Sequence, residues 1–316
     1  MSAIQKFQTL HWPTVGETIP LQLWIQENLE AFIEEAIEAS LSRRNQQSSP
    51  PNLREAIRYS LLAPGKRIRP RLAIACGQML QIPPLAALAA GAAIEMIHCF
   101  TLIHDDLPCM DNDDFRRGRP SNHKVYGEAL ALLAGDSLMA CALDTLLLSR
   151  RSVPADHLLN AFDRFSWACG ARGVMGGQAQ EFLLTPQATR QQLETMFAGK
   201  TGALFSASLE IPMAMAGLSD ETREGKVIAR FAAELGYAFQ VADDIEDAEA
   251  PGSRESEKPQ SILFYLSAKQ AAQETHLRLL RASDELKLCF GSKAWALNAI
   301  AQEVLQKLQK QGQNRE

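Results

Sequence analysis

At 316 residues the chain can form one large domain or two ordinary ones, and either buries a substantial core. Its 46% hydrophobic and 22% charged residues are those of a globular protein, and its net charge of −5 argues against nucleic acid, whose contacts depend on Lys and Arg. Six widely spaced cysteines form no CxxC pair and read as free thiols of a reducing compartment, and no cationic start leads into an apolar run, so a cytoplasmic protein without a signal peptide is expected.

In chain order, residues 1–20 lack strong periodicity, contain Pro13 and Pro20, and read as a lead-in. "LQLWIQENLEAFIEEAIEASLSRR" then places Leu23, Ile25, Leu29, Phe32, Ile33 and Ile37 at helical intervals with acids between them. "NQQSSPPN" is a loop, and Pro50-Pro51 is expected to stop any helix there. Helices are expected at roughly 52–62, 69–79, 84–107, 120–150, 155–169, 188–214, 219–247, 266–288 and 292–311. The longest apolar stretch, "LAALAAGAAI" from Leu85, runs ten residues before Glu95 and His98 interrupt it, too short to span a bilayer. Two-residue alternation is absent and Ala and Leu abound, so the expected fold class is all-α. "EAPGSRESEKP", 249–259, is the clearest internal loop, and no composition shift marks a domain boundary.

"IHDDLPCMDNDDFRRGR", residues 103–119, crowds Asp105, Asp106, Asp111, Asp113 and Asp114 into ten positions and follows them with three arginines. A second cluster, "DDIED", puts Asp243 and Asp247 four apart on one helical face with Asp244 beside them. Pro108 is expected to end or kink its helix, and that irregularity to aim Asp111 toward Asp105. Carboxylates are hard ligands, and magnesium binds through one or two of them plus substrate phosphates and water. Two such clusters therefore point to several ions bridging to a diphosphate. One acidic run is more often solvated surface; two, of the forms DDx4D and DDxxD, each ending an apolar helix, weigh against that. A calcium loop fails on detail, because Arg116 stands where "DNDDFRRGRPSN" would need Gly and Asn122 where it would need Glu.

"GKRIRP" (65–70), "IHCFTLIHDDLPCMDNDDFRRGRPSNHK" (97–124), "LAGDSL" (133–138), "GGQAQE" (176–181), "GKTGALF" (199–205) and "LGYAFQVADDIED" (235–247) complete the picture. Together, in this order and over roughly residues 50–250, they resemble the trans-isoprenyl diphosphate synthases, the polyprenyl synthetase family, and within it the bacterial farnesyl diphosphate synthase branch. The resemblance implies one all-helical domain of the isoprenoid synthase type over 1–316, with 1–20 a lead-in and 248–260 a shortened lid loop. Its helices would surround an apolar cavity with an aspartate motif on opposite walls, and it would work as a homodimer. The implied reaction transfers an allylic chain from its diphosphate to isopentenyl diphosphate, head to tail, with no nucleic acid or membrane span involved.

The resemblance also implies roles. Asp105 and Asp111 on one side and Asp243 on the other would hold magnesium (about three ions, manganese being a substitute), with Asp106, Asp244 and Asp247 as support or water-mediated ligands. Arg116 and Lys200 would contact the allylic diphosphate, and Lys258 is the lysine kept in the lid. Lys66, Arg69, His98 and Arg117 would hold isopentenyl diphosphate without metal, while Thr201 and Gln240 would sit near the breaking bond. Read alone, "GKRIRP" is an ordinary basic helix start and His98 a core histidine. No enzyme base is required, since the family is thought to use the released diphosphate.

Product length would be set by Phe100, five positions before the first aspartate, with Thr101 beside it. An aromatic ring there and the two-residue insertion in the first motif are the bacterial C15 pattern. The chain departs from the family at Pro64, Phe197 and Glu181, and "AEAPGSRESEKPQSILF" is about a dozen residues shorter than its counterparts. Geranyl or geranylgeranyl diphosphate synthesis, and a non-catalytic subunit of such an enzyme, remain alternatives. A terpene cyclase shares the fold, but "DDIED" and "GKRIRP" argue against it.

Overall fold

Apolar residues spaced three and four apart fold into α1 (Leu21–Leu41), which buries Trp24, Leu29, Phe32, Ile33 and Ile37 on one face. The computed structural model describes residues 3–13, 21–42, 49–249 and 253–313. Its contacts group the chain into two compact units, Met1–Leu158 and Leu159–Glu316. The division falls inside one continuous helix, Ala155–Cys169, which is why no change of composition accompanies it.

In the first unit the expected lead-in is already packed. A 3₁₀ helix, Ala3–Thr9, buries Phe7 edge-on against Phe32 with ring centroids 5.0 Å apart. Residues 14–20 and 43–48 of the expected lead-in and loop lie outside the described residues. Pro51 does not stop a helix but starts one: it is the first residue of α2 (Pro51–Leu61), where a missing N–H costs nothing and its fixed φ suits the turn. Then come α3 (Ile68–Met79), α4 (Pro84–Asp105), α5 (Asn122–Tyr126) and α6 (Glu128–Leu146), which runs into a 3₁₀ turn, Leu147–Arg151. The single helix expected over 120–150 is thus broken, because Gly127 takes φ +83°, which only glycine adopts at no cost.

The longest apolar helix, α4, is buried almost all round and packs on α3 and α6. Small residues allow the approach: a Cβ on Gly77 would sit 2.6 Å from the Cβ of Ala87. Both α4 and the stretch Glu128–Arg151 are long and apolar enough to cross a membrane, which the ten-residue apolar run did not suggest; 83% of the α4 window and 44% of the other are buried within the protein. Two short strands, β1 (Phe115–Arg116) and β2 (Arg119–Pro120), form the hairpin that alternation had not signalled. Each is two residues long, too short for any periodicity.

The second unit takes α7 (Ala155–Cys169) from Leu159 and continues with α8 (Val174–Leu183), α9 (Arg190–Phe197), a π-helical turn at Ala198–Gly202 and α10 (Ala203–Met215). It ends with α11 (Arg223–Asp247), α12 (Ala268–Phe290) and α13 (Trp295–Gln313). Capping boxes at Thr189 and Ser267 start α9 and α12, each satisfying two backbone donors. The helix α11 packs on α10, α12, α13 and the π turn, burying Phe231, Leu235 and Val241. The helices expected from sequence did not include α8; Gly177 is there because a Cβ would stand 1.9 Å from the backbone nitrogen of Lys200. Backbone contact between α8 and the π turn demands it.

Candidate active site

The residues expected to form the site fall into two sets, one in each unit. In the first unit, α4 delivers His98, Phe100, Thr101 and Asp105 in its last two turns and then stops. The chain wraps back on itself: the Asp111 N–H donates to the Asp105 carbonyl at 2.8 Å, and Asn112 takes a left-handed φ of +56°. The backbone thus brings Asp111 beside Asp105, six positions apart in sequence.

The five aspartates divide into two kinds. Asp106 is only 3% exposed and accepts from Nε and Nη2 of Arg116 at 2.8 and 2.5 Å. Asp113 takes a further bond from Arg116 at 2.7 Å, and Asp114 pairs with Lys124. Burial raises the Asp106 carboxyl above its ordinary range, and the Arg116 guanidinium opposes that rise. Asp105 is half-buried and Asp111 exposed. So Arg116, expected to meet a diphosphate, is held here between two carboxylates.

Arg116 reaches Asp106 from the hairpin, whose turn residues Arg117 and Gly118 both have positive φ, +53° and +73°, as a tight two-residue turn requires. The hairpin is moored to α2: the Tyr59 hydroxyl donates to the Pro120 carbonyl at 2.8 Å, and the Arg119 guanidinium stacks 4.1 Å over the Tyr59 ring. Arg117 lies against Gly65, where a Cβ would come within 2.8 Å of its Nη1, so the glycine before Lys66 leaves room for the arginine. Desolvation first, then the charges of Arg69, Arg117, Arg67 and Arg116, push the His98 imidazole well below its ordinary range. Two of these four arginines, Arg67 and Arg116, are themselves paired with carboxylates. Of the expected members, Arg69, His98 and Arg117 are gathered electrostatically, and Lys66 is exposed beside Gly65.

Arg67, in the same hexapeptide, was not singled out by sequence. It is 7% exposed, left-handed at φ +47°, and donates to Glu95 at 2.6 Å, to Glu30 at 2.8 Å and to the Leu61 and Ala63 carbonyls. It props the loop that carries Lys66. Phe100 is 5% exposed and meets His104 edge-on at 4.7 Å; His104 in turn lies in the notch of Gly135, where a Cβ would be 2.3 Å from its Nε2. Thr101 donates to the His98 carbonyl at 2.9 Å.

In the second unit the π turn presents Lys200 and Thr201. Single π turns inside α-helices are frequent at functional sites. Lys200 is ion-paired with Glu181, which also accepts from Gln178 at 2.9 Å. Thr201 donates to Gln240 Oε1 at 2.6 Å, and Gln240 Nε2 donates to Asp244 Oδ1 at 2.9 Å. The other Asp244 oxygen accepts from the Ile262 N–H at 2.8 Å and the Ser261 hydroxyl at 3.2 Å. Burial pushes Asp244 up to about 6, against the bonds from Ile262, Gln240 and Ser261 that favour its charged form. Asp243 pairs with Lys307 of α13 at 3.1 Å, and Asp247, exposed on the same face, is raised by desolvation and by Glu255. Lys258 pairs with Glu255 in the loop after α11; residues 250–252 of the expected lid lie outside the described residues. Lys307, Ser261 and Ile262 carried no local sequence signal, being joined to the motif only through the fold.

Among the described residues, no three His, Cys, Asp or Glu side chains form a ready-made metal cluster. The carboxylates present are all-oxygen donors, which suits magnesium held jointly by one or two carboxylates and a diphosphate better than a closed protein cage.

The sequence model described as polyprenyl synthetase matches residues 50–261. The chain is 40% identical over 230 residues to farnesyl diphosphate synthase of Geobacillus stearothermophilus, covering 71% of this chain and 77% of that one. It is 43% identical over 221 residues to the chloroplastic geranylgeranyl pyrophosphate synthase 7 of Arabidopsis thaliana, covering 68% of this chain and 61% of the plant protein. Among solved structures, geranyltransferase from Legionella pneumophila superposes with a TM-score of 0.79 at 30% identity, over 92% of this chain and 98% of that one.

Proposed function

This chain belongs to the polyprenyl synthetase family, and we propose that it condenses isopentenyl diphosphate with dimethylallyl or geranyl diphosphate, head to tail, to give farnesyl diphosphate. The observation that carries the reading is the division of labour in the first motif. Asp106 and Asp113 hold Arg116 in place, while Asp105 and Asp111 are brought together at the end of α4.

Asp105, Asp111 and Asp243 would hold magnesium. Bound with the diphosphate, it supplies Lewis-acid neutralisation of the leaving anion. The protein's own part is positioning and charge. Arg116 and Lys200, with Lys258, would face the allylic diphosphate once it draws them from their carboxylate partners, and fixed cations aimed at developing charge are a large catalytic contribution. Lys66, Arg69 and Arg117, with neutral His98 among them, would take the diphosphate of the second substrate. Thr201 spends its proton on Gln240, which leaves its oxygen lone pairs to face an allylic cation. Phe100, wedged by His104, would block further chain growth at C15.

A geranylgeranyl product is the second reading, favoured by the 43% identity to a plant enzyme of that name. We take the protein to be cytoplasmic and a homodimer, its α6 exposing Leu132, Leu133 and Leu143. The test incubates purified protein with isopentenyl diphosphate, magnesium and either allylic diphosphate, and sizes the dephosphorylated products. A magnesium-dependent C15 alcohol is expected. A C20 alcohol keeps the activity and overturns the floor at Phe100; no product from folded protein overturns the activity.

A further inference from the structure

Asp244 stands in the second motif, where support or a water-mediated metal ligand was expected, and its surroundings are those of a structural joint. The side chain is 5% exposed, and both oxygens already accept bonds from protein donors: Gln240 on one, Ser261 and Ile262 on the other. Ser261 is itself 1% exposed, and its hydroxyl also accepts from the Leu263 N–H at 3.3 Å. Its backbone N–H donates to the Lys258 carbonyl at 3.0 Å. An unbroken series of bonds therefore runs from Thr201 through Gln240 and Asp244 to Ser261 and on to Lys258. No member of this series is a lysine or arginine until Lys258 itself, so the series sets position rather than supplying positive charge.

We infer that Asp244 and Ser261 form a latch that fixes the far end of the short loop, and with it Lys258, to the helix bearing Thr201's partner Gln240. Asp244 is thus a positioning residue and not a metal ligand. The inference rests on the proposed prenyl transfer only for the role given to Lys258; the latch itself stands on the hydrogen bonds. A short loop has few contacts of its own, and a buried carboxylate accepting a backbone N–H is a strong way to hold one end of it. Lys258 is the one lysine in the expected lid, residues 248–260, and beside its ion pair with Glu255 this joint ties it to α11.

Two measurements test the latch. The first is amide hydrogen exchange on the protein without substrate, comparing wild type with Asp244→Asn and Ser261→Ala. Exchange at residues 258–264 is expected to speed up on the order of tenfold or more in both, since each loses a bond to or beside a charged group. Unchanged protection there overturns the latch whether or not the protein makes any product. Ser261→Ala is the milder change and keeps the test open should Asp244→Asn fail to fold.

The second is steady-state kinetics, in which the latch variants should raise the KM for the allylic diphosphate while leaving the KM for isopentenyl diphosphate and the half-saturating magnesium concentration unchanged. In a Lys258→Met background the added effect of Ser261→Ala on that KM should vanish, because the latch acts through Lys258. Full additivity, or a rise in the magnesium requirement of Asp244→Asn, overturns the inference. Absence of product from wild type would sink the proposed activity, and hydrogen exchange alone would then decide for or against the latch.

Discussion

The two aspartate motifs meet one physical problem in two ways. Adjacent carboxylates repel, so each motif buries one aspartate against donors and leaves others toward the surface. In the first motif the buried member, Asp106, is held by a cation, Arg116, across a loop and a hairpin. In the second the buried member, Asp244, is held only by uncharged donors, within an unbroken helix, and its proton affinity rises to about 6. The lesson is that a run of like charges need not share one role: the fold turns some into struts for the others. The first unit builds its share from charge, with the charges of Arg69, Arg117, Arg67 and Arg116 all acting on His98. The second builds its share from close backbone contact and neutral hydrogen bonds, at Gly177 and along Thr201, Gln240 and Asp244.

The sharpest way to break this division is to neutralise an aspartate assigned to the ligand. Asp105→Asn or Asp243→Asn should lower kcat on the order of a hundredfold to a thousandfold and raise the magnesium requirement, as loss of charge stabilisation does; a magnesium titration of initial rates reads both. Next is the buried cation of the first unit. Arg67→Met leaves Glu95 buried without its partner and should cost about 3–5 kcal/mol of stability in denaturant unfolding.

In the second unit Gly177→Ala should cost about 1–3 kcal/mol by forcing α8 from the π turn, with a matching loss of activity. The contrast is that Arg67→Met should become less costly if Glu95 is also changed to Gln, whereas no charge change should relieve Gly177→Ala. Phe100→Ala should shift product from C15 toward C20, read by product sizing, and should cost about 3–5 kcal/mol of stability as other buried Phe-to-Ala changes do.

The smallest effect concerns pH. His98 has a folded proton affinity well below the ordinary imidazole value of 6.5. As pH falls through 6.5 the unfolded chain takes up a proton that the folded chain refuses, so stability falls with pH. His98→Asn should flatten that part of the stability profile between pH 7 and 5.

Much of this was legible in the sequence and the rest was not, for reasons of range. The helix α1 announced itself by apolar spacing, and the Asp105–Asp111 loop by Pro108 and the surplus of charge. What periodicity missed was set by tertiary contact: α8 went unlisted, and its Gly177 serves a neighbouring backbone, while Pro51 looked like a stop because a proline at a first helical turn reads the same as one after a last. Resemblance named Asp244 as support or a water-mediated ligand, but its partners Ser261 and Ile262 lie seventeen and eighteen positions on and carry no motif. Lys307, 64 positions from Asp243, could not have been guessed from either end.

The division within each motif is tested most directly by binding without turnover. Calorimetric titration of magnesium with inorganic pyrophosphate should be run on wild type and on Asp105→Asn, Asp106→Asn, Asp243→Asn and Asp244→Asn. The expected result is that Asp105→Asn and Asp243→Asn lose the magnesium-dependent heat, while Asp106→Asn and Asp244→Asn keep a magnesium dependence like that of wild type. Loss of that dependence in Asp244→Asn, with Asp243→Asn unaffected, would contradict the account.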